Sequence, residues 1–184
     1  PMDEKKISSS SWTKKLTRII QAGTRNATEP RCRVVILGVG NELRGDDAAG
    51  VLAVRKLLKK KEQLDDVLII EGAQAPENFT SVIRRFNPHL ILIIDAGDFG
   101  ADPGVITLIE PDEAQGGMGT HGLSLGDFLH YLQLETGSKT AILAIQAAGN
   151  EFGDPVCLPV KQAVNQAANK LHKLLIKTRI QESS

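Results

Sequence analysis

The sequence predicts an α/β protein, a three-layer α/β/α sandwich built on a mainly parallel, mixed five-stranded sheet. Three observations carry that expectation. From Arg33 onward, apolar runs of strand length alternate with segments of helical periodicity. Runs such as Leu90-Ile91-Leu92-Ile93-Ile94 are continuously apolar, as strands covered on both faces must be. The run Val34-Val35-Ile36-Leu37 ends in glycines and leads directly into a helical pattern, the punctuation of a strand, a tight turn and a helix.

The elements follow in order. Residues 8–22 read as a short helix, with Ser8 to Ser11 as its start and Trp12, Leu16, Ile19 and Ile20 on one face. Lys14, Lys15 and Arg18 lie on the other side. The stripe predicts a helix packed on the domain, the usual fate of an amphipathic segment; a partner-binding arm is the alternative. Residues 23–30 read as a linker. Strands are predicted over 33–38, 67–71, 89–95, 105–110 and 140–146, and helices over 46–61, 76–86, 124–136 and 159–178. The segment 105–110 follows its predecessor too closely for a helical crossover, so it is expected to run antiparallel. Pro76 suits the first turn of its helix, and Ser124 and Asp127 have capping-box spacing before a Leu-rich stripe. The chain thus divides into an extension over 1–30, one domain over 31–178 and a tail over 179–184. Pro1 ahead of Met2 reads as a residue left by tag removal.

Bulk properties narrow the function. The 184 residues suit one domain with a full-sized core, and the 41% apolar content is that of a globular chain. Lys plus Arg equal Asp plus Glu at 22 each, which argues against binding nucleic acid. No stretch is long and apolar enough to span a bilayer, and no signal peptide is visible. Cys32 and Cys157 are single and distant, suggesting neither a disulfide framework nor a CxxC site. A soluble, cytoplasmic protein without membrane insertion is expected.

Chemistry concentrates at the predicted carboxyl edge of the sheet, where open α/β folds bind ligands. Gly38-Val39-Gly40-Asn41 leads to Gly45-Asp46-Asp47, and two adjacent acids do not suit a phosphate cradle. Helix capping and dipole complementation explain one acid readily. Asp46 is therefore expected to cap the helix while Asp47 projects into the cleft. Asp95 ends a buried strand, where a carboxylate keeps water only by facing the same crevice, and Asp98 lies further out in the loop. Of four histidines only His121, in the glycine-rich 116–122 loop, is placed to join them; His89 sits at the opposite edge, and His130 and His172 read as ordinary surface or boundary residues. Glu77, in a first helical turn, is a weaker candidate. Two carboxylates and an imidazole suit a divalent metal with open positions, or a metal-free acid–base set.

Taken together, these segments resemble the hydrogenase maturation endopeptidases, most closely the HycI type that processes the large subunit of hydrogenase 3. The resemblance covers residues 33–178. It rests on the Gly38–Gly50 motif, on Gly72-Ala73-Gln74-Ala75-Pro76-Glu77-Asn78, on Ile93-Ile94-Asp95-Ala96, on Thr120-His121 and on Ala144-Ile145-Gln146. It implies a phosphorylase/hydrolase-like sandwich and an enzyme that cuts a short C-terminal extension from the nickel-loaded precursor of a [NiFe] hydrogenase large subunit. It also implies metal contacts at Asp47, Asp95 and His121, with Asp46 behind them, and nickel supplied by the substrate rather than held permanently. Catalysis by Asp47 or Asp95, aspartic or metal-assisted, and a monomeric enzyme are the corresponding expectations. A non-catalytic nickel-sensing module or chaperone for the precursor is the alternative. The family often has proline after the last-strand glutamine, whereas Ala147-Ala148 follows Gln146 here. A nucleotide-binding reading of the 38–45 loop is disfavoured, since it has neither the third glycine of GxGxxG nor a P-loop lysine.

Overall fold

The computed structural model describes residues 11–25, 31–60, 64–110 and 125–182. Its elements are α1 (Ser11–Arg25), β1 (Val34–Val39), α2 (Ala49–Leu58), β2 (Val67–Ala73), α3 (Thr80–Phe86), β3 (Leu90–Gly97), β4 (Ile106–Ile109), α4 (Leu125–Thr136), β5 (Lys139–Gln146) and α5 (Leu158–Glu182). Single 3-10 turns, Gly45–Ala48 and Pro76–Phe79, lead into α2 and α3.

The sheet has the order β2-β1-β3-β5-β4. All pairs are parallel except β4 with β5, which is antiparallel as the short 97–105 connection requires. Alternate residues of each central strand feed opposite faces. Val34, Ile36, Leu90, Leu92, Ile94, Leu143 and Ile145 pack with α1, α2 and α5. Val35, Leu37, Ile91, Ile93, Ile142 and Ala144 pack with Ile83 of α3 and Phe128, Leu129 and Leu132 of α4. Both faces of the sheet are covered, which explains the unbroken apolar runs.

The N-terminal stripe belongs to this core. Trp12, Leu16 and Ile20 are buried in the same cluster as α5 and the sheet. Over the described residues Ser11–Arg25 the helix is a packed element rather than a free arm. At the other end α5 runs on to Glu182, past the helix end expected at 178. Leu171, Leu174 and Leu175 of this helix are buried in the core. Among the described residues, no helix is long and apolar enough to cross a membrane.

Glycines set how closely α2 approaches the sheet. A Cβ on Gly50 would lie 2.1 Å from the Ile94 carbonyl oxygen and 2.3 Å from that of Val39. A Cβ on Gly38 would lie 2.4 Å from the Gly50 carbonyl oxygen and 2.6 Å from a Val54 methyl. The first turn of α2 therefore rests directly on backbone of β1 and β3. Gly50→Ala should cost about 3 kcal/mol, the upper range of over-packing, and lower Tm by about 6–12 °C. Gly149→Ala, whose added methyl meets open space, should stay within about 0.5 kcal/mol of the parent; thermal denaturation of the two variants checks both.

Candidate active site at the carboxyl edge

The chain leaves β1 toward β2 on one side and returns past it to β3 on the other, so the strand order reverses between β1 and β3. At such a switch point the loops after the two strands diverge and leave a crevice. Asp47 follows β1 and Asp95 lies near the end of β3, which brings these two sequence-predicted residues to the same crevice.

The turn before Asp47 is closely held. Gly40 has φ 132°, and a Cβ there would lie 1.8 Å from the Asp47 carbonyl oxygen, so only glycine fits. The Asn41 N–H donates to Asp47 Oδ2 at 2.8 Å, and the Leu43 N–H donates to Asn41 Oδ1 at 2.9 Å. The Asp47 N–H closes the turn on the Arg44 carbonyl at 3.0 Å. From the outside, Arg55 of α2 bridges Glu42 in this turn and Glu71 in β2, with Nε 2.8 Å from Glu71 Oε2 and Nη2 2.7 Å from Glu42 Oε2. That brace has no signature in the sequence, because its three members come from a loop, a helix and a strand.

Asp46 takes a different part from the one expected. Neither the 3-10 turn nor α2 has a side-chain cap. Its carboxylate is 1% exposed and accepts from the N–H groups of Ala148 at 2.7 Å and Cys157 at 2.7 Å, with Gly149 at 3.3 Å. Burial alone would raise its pKa; the N–H groups of Cys157, Ala148 and Gly149, with the Cys157 thiol, outweigh burial and hold it below the ordinary carboxylate range. The capping reading fails because three donors from the 147–157 loop compete for the same oxygens and win. The two acids do diverge, but Asp46 anchors a distant loop.

Asp95 is half-buried, and its Oδ1 accepts only from the N–H of Ala96, at 2.9 Å, among the hydrogen bonds of the described residues. Its pKa is pushed up to about 7, first by removal from water and then by repulsion from Asp47, against the opposing effect of the Ala96 N–H. Two carboxyl groups in one crevice, one kept protonated near neutrality, can divide acid and base work between them.

Beyond Asp95 the loop is organised by Gln146, a residue that in the sequence carried only a motif. Gln146 is buried at the end of β5. Its Oε1 accepts from the N–H groups of Phe99 at 2.9 Å and Ala101 at 3.2 Å, while Nε2 donates to Asp98 Oδ1 at 3.1 Å. Asp98 is exposed, as its loop position implied, and Glu77 is exposed as well. The Ala147 N–H donates to the Gly97 carbonyl at 3.0 Å, a bond that a proline at 147 would lack. His89 is at the amino edge, its Nδ1 accepting from the Arg33 N–H at 2.9 Å. His121 and Ser124 lie outside the described residues. Among the described residues, no group of three or more His, Cys, Asp or Glu is gathered to hold a metal.

Two stability measurements follow. Folded Asp95 titrates near 7 and an unfolded aspartate near 3.9, so the native state holds the extra proton in between. Stability of the metal-free protein should fall as pH rises from about 4 to about 7, by up to about 1.4 kcal/mol per unit, and level off above. Asp95→Asn should remove that slope and be the more stable protein at pH 8, measured by urea denaturation across pH. Asp46→Asn replaces one acceptor oxygen with a donor facing N–H groups and should cost about 2–4 kcal/mol at pH 7 by the same assay.

Known proteins resemble this chain in sequence and in fold. The family model described as hydrogenase maturation protease matches residues 51–178. The hydrogenase 3 maturation protease of Escherichia coli strain K12 is 35% identical over 139 residues, covering 74% of this chain and 87% of that protein. Among solved structures, the [NiFe] hydrogenase maturation protease HycI from Thermococcus kodakarensis KOD1 superposes with a TM-score of 0.73 at 31% identity, covering 78% of this chain and 92% of that one. The solution structure of the endopeptidase HycI from Escherichia coli gives a TM-score of 0.68 at 34% identity, covering 76% and 89%. With a matched family model and such relatives across three quarters of its length, the chain belongs to the hydrogenase maturation protease family.

Proposed function

We propose that this chain is the endopeptidase that removes a short C-terminal extension from the nickel-loaded precursor of a [NiFe] hydrogenase large subunit, acting as a monomer in the cytoplasm. Family membership makes it a peptidase. The feature that carries the finer reading is the Asp47–Asp95 pair at the switch point, where burial and the charge of Asp47 push the Asp95 pKa up to about 7.

Nickel enters as part of the substrate, as a recognition handle for Asp47, Asp95 and, through the family resemblance, His121. Bound in the precursor it supplies a Lewis-acidic cation near the scissile bond. An oxygen-rich, partly desolvated crevice suits such a cation. A cation beside Asp95 favours its ionised form, so docking is coupled to loss of a proton. Asp47, held through Oδ2 by the Asn41 N–H, has its orientation fixed before substrate arrives. Anchoring the nickel-bearing end positions the peptide bond by proximity. Asp47 or Asp95 then takes a proton from the attacking water as general base.

The test is incubation with nickel-loaded and nickel-free precursor, read by the mass of the product. Loaded precursor should lose its C-terminal extension and nickel-free precursor should stay intact. Asp47→Asn and Asp95→Asn should each slow cleavage at least about 100-fold, and His121→Ala should weaken it as well. Normal processing by either aspartate variant would sink the assignment. Precursor bound but never cut would favour the nickel-sensing module instead.

A further inference from the structure

Two large apolar side chains stand in solvent beside the acid pair, and nothing in the proposed chemistry uses them. Leu43 is 59% exposed and Phe152 is 70% exposed. They sit on different loops, after β1 and after β5, yet the Gly153 N–H donates to the Leu43 carbonyl at 2.7 Å. The two loops are cross-tied again where the Asp46 N–H meets the Gly149 carbonyl at 3.1 Å and where Arg44 Nη1 meets the Asn150 carbonyl at 3.3 Å. Beneath them the Asp46 carboxylate pins the base of the second loop through Ala148, Gly149 and Cys157.

A single exposed leucine needs no explanation, but here two such residues stand on loops hydrogen-bonded to each other. The backbone under Leu43 is held by Asn41, by the Arg55–Glu42 brace and by the Gly153 N–H, so the side chain is presented from a rigid base. Leu43 belongs to the same compact turn as Asp47, whose N–H closes it on Arg44. The two rim residues, Leu43 and Phe152, therefore stand on the turn that carries Asp47 and on the loop hydrogen-bonded to it.

We propose that Leu43 and Phe152 are substrate-contacting residues that bind an apolar segment of the precursor polypeptide next to the cleavage point. This rests on the peptidase reading above and names how the substrate is gripped. The contact forms on docking and persists through the reaction, so it contributes equally to the ground and transition states. Its loss belongs in KM rather than kcat.

The experiment measures cleavage of nickel-loaded precursor at varied concentration, and in parallel the affinity of each variant for that precursor. Leu43→Ser and Phe152→Ser should each raise KM about five- to thirtyfold with kcat within about twofold, and weaken binding in step. Leu43→Met, which keeps an apolar side chain, should restore the wild-type KM. Leu134→Ser provides the control. Leu134 is 73% exposed but lies near the end of α4, before the amino end of β5, and its KM should not move. Unchanged KM and affinity in both rim variants would overturn the proposal. So would a fall in kcat at constant KM, which would mean that the rim only shapes the acid pair. Wild-type protein that binds the precursor without cutting it would defeat the peptidase reading, while rim-dependent affinity would still support the contact. Wild-type protein that neither binds nor cuts would defeat both.

Discussion

A buried carboxylate satisfied by backbone donors is the constraint on which the carboxyl edge of this protein depends. Left unpaired in the interior, Asp46 would be destabilising by several kcal/mol. Folding is therefore strongly biased toward conformations that deliver N–H groups to it. The donors come from Ala148, Gly149 and Cys157. Satisfying Asp46 draws in the entire connection between β5 and α5, and it also fixes the first residues of the turn that carries Asp47. One interaction thereby sets the mutual position of two loops that flank the crevice.

A second constraint works from below. Because Gly38 and Gly50 have no side chains, α2 sits against the backbone of β1 and β3 rather than on a layer of methyl groups. That close contact draws the start of α2, and with it the preceding acids, toward the end of β3. Asp95 consequently meets the charge of Asp47, and the repulsion helps keep it protonated. Packing in the core and acidity at the surface are in this way linked through the absence of two Cβ atoms.

Much of this architecture was legible in the amino-acid order. Strands covered on both faces betray themselves as continuous apolar runs, and the brevity of the 97–105 connection fixed the direction of β4. The crevice was legible too, since acids at strand ends have few other places to go. Asp46 was misread because its partners are 102 to 111 residues away, and a local capping pattern looks the same whether or not such donors exist. The helix predicted over 46–61 begins as a 3-10 turn, in which the Asp47 N–H bonds to the Arg44 carbonyl three residues back. The bracing of Glu42 and Glu71 by Arg55, and the role of Gln146 in ordering the 97–101 loop, are likewise products of tertiary proximity. His121 remains a reading of its loop and of the family resemblance.

The docked N-terminal helix gives the molecule a built-in optical probe. Trp12 is the sole tryptophan of the chain. It is 2% exposed, packed where α1 meets α5, β3 and β4, in the layer opposite α3 and α4. Its indole emission is thus tied to the integrity of the hydrophobic interior and to the seating of α1. Emission at a wavelength typical of an apolar setting, shifting to longer wavelength in denaturant, would follow the whole domain through a single chromophore without any label.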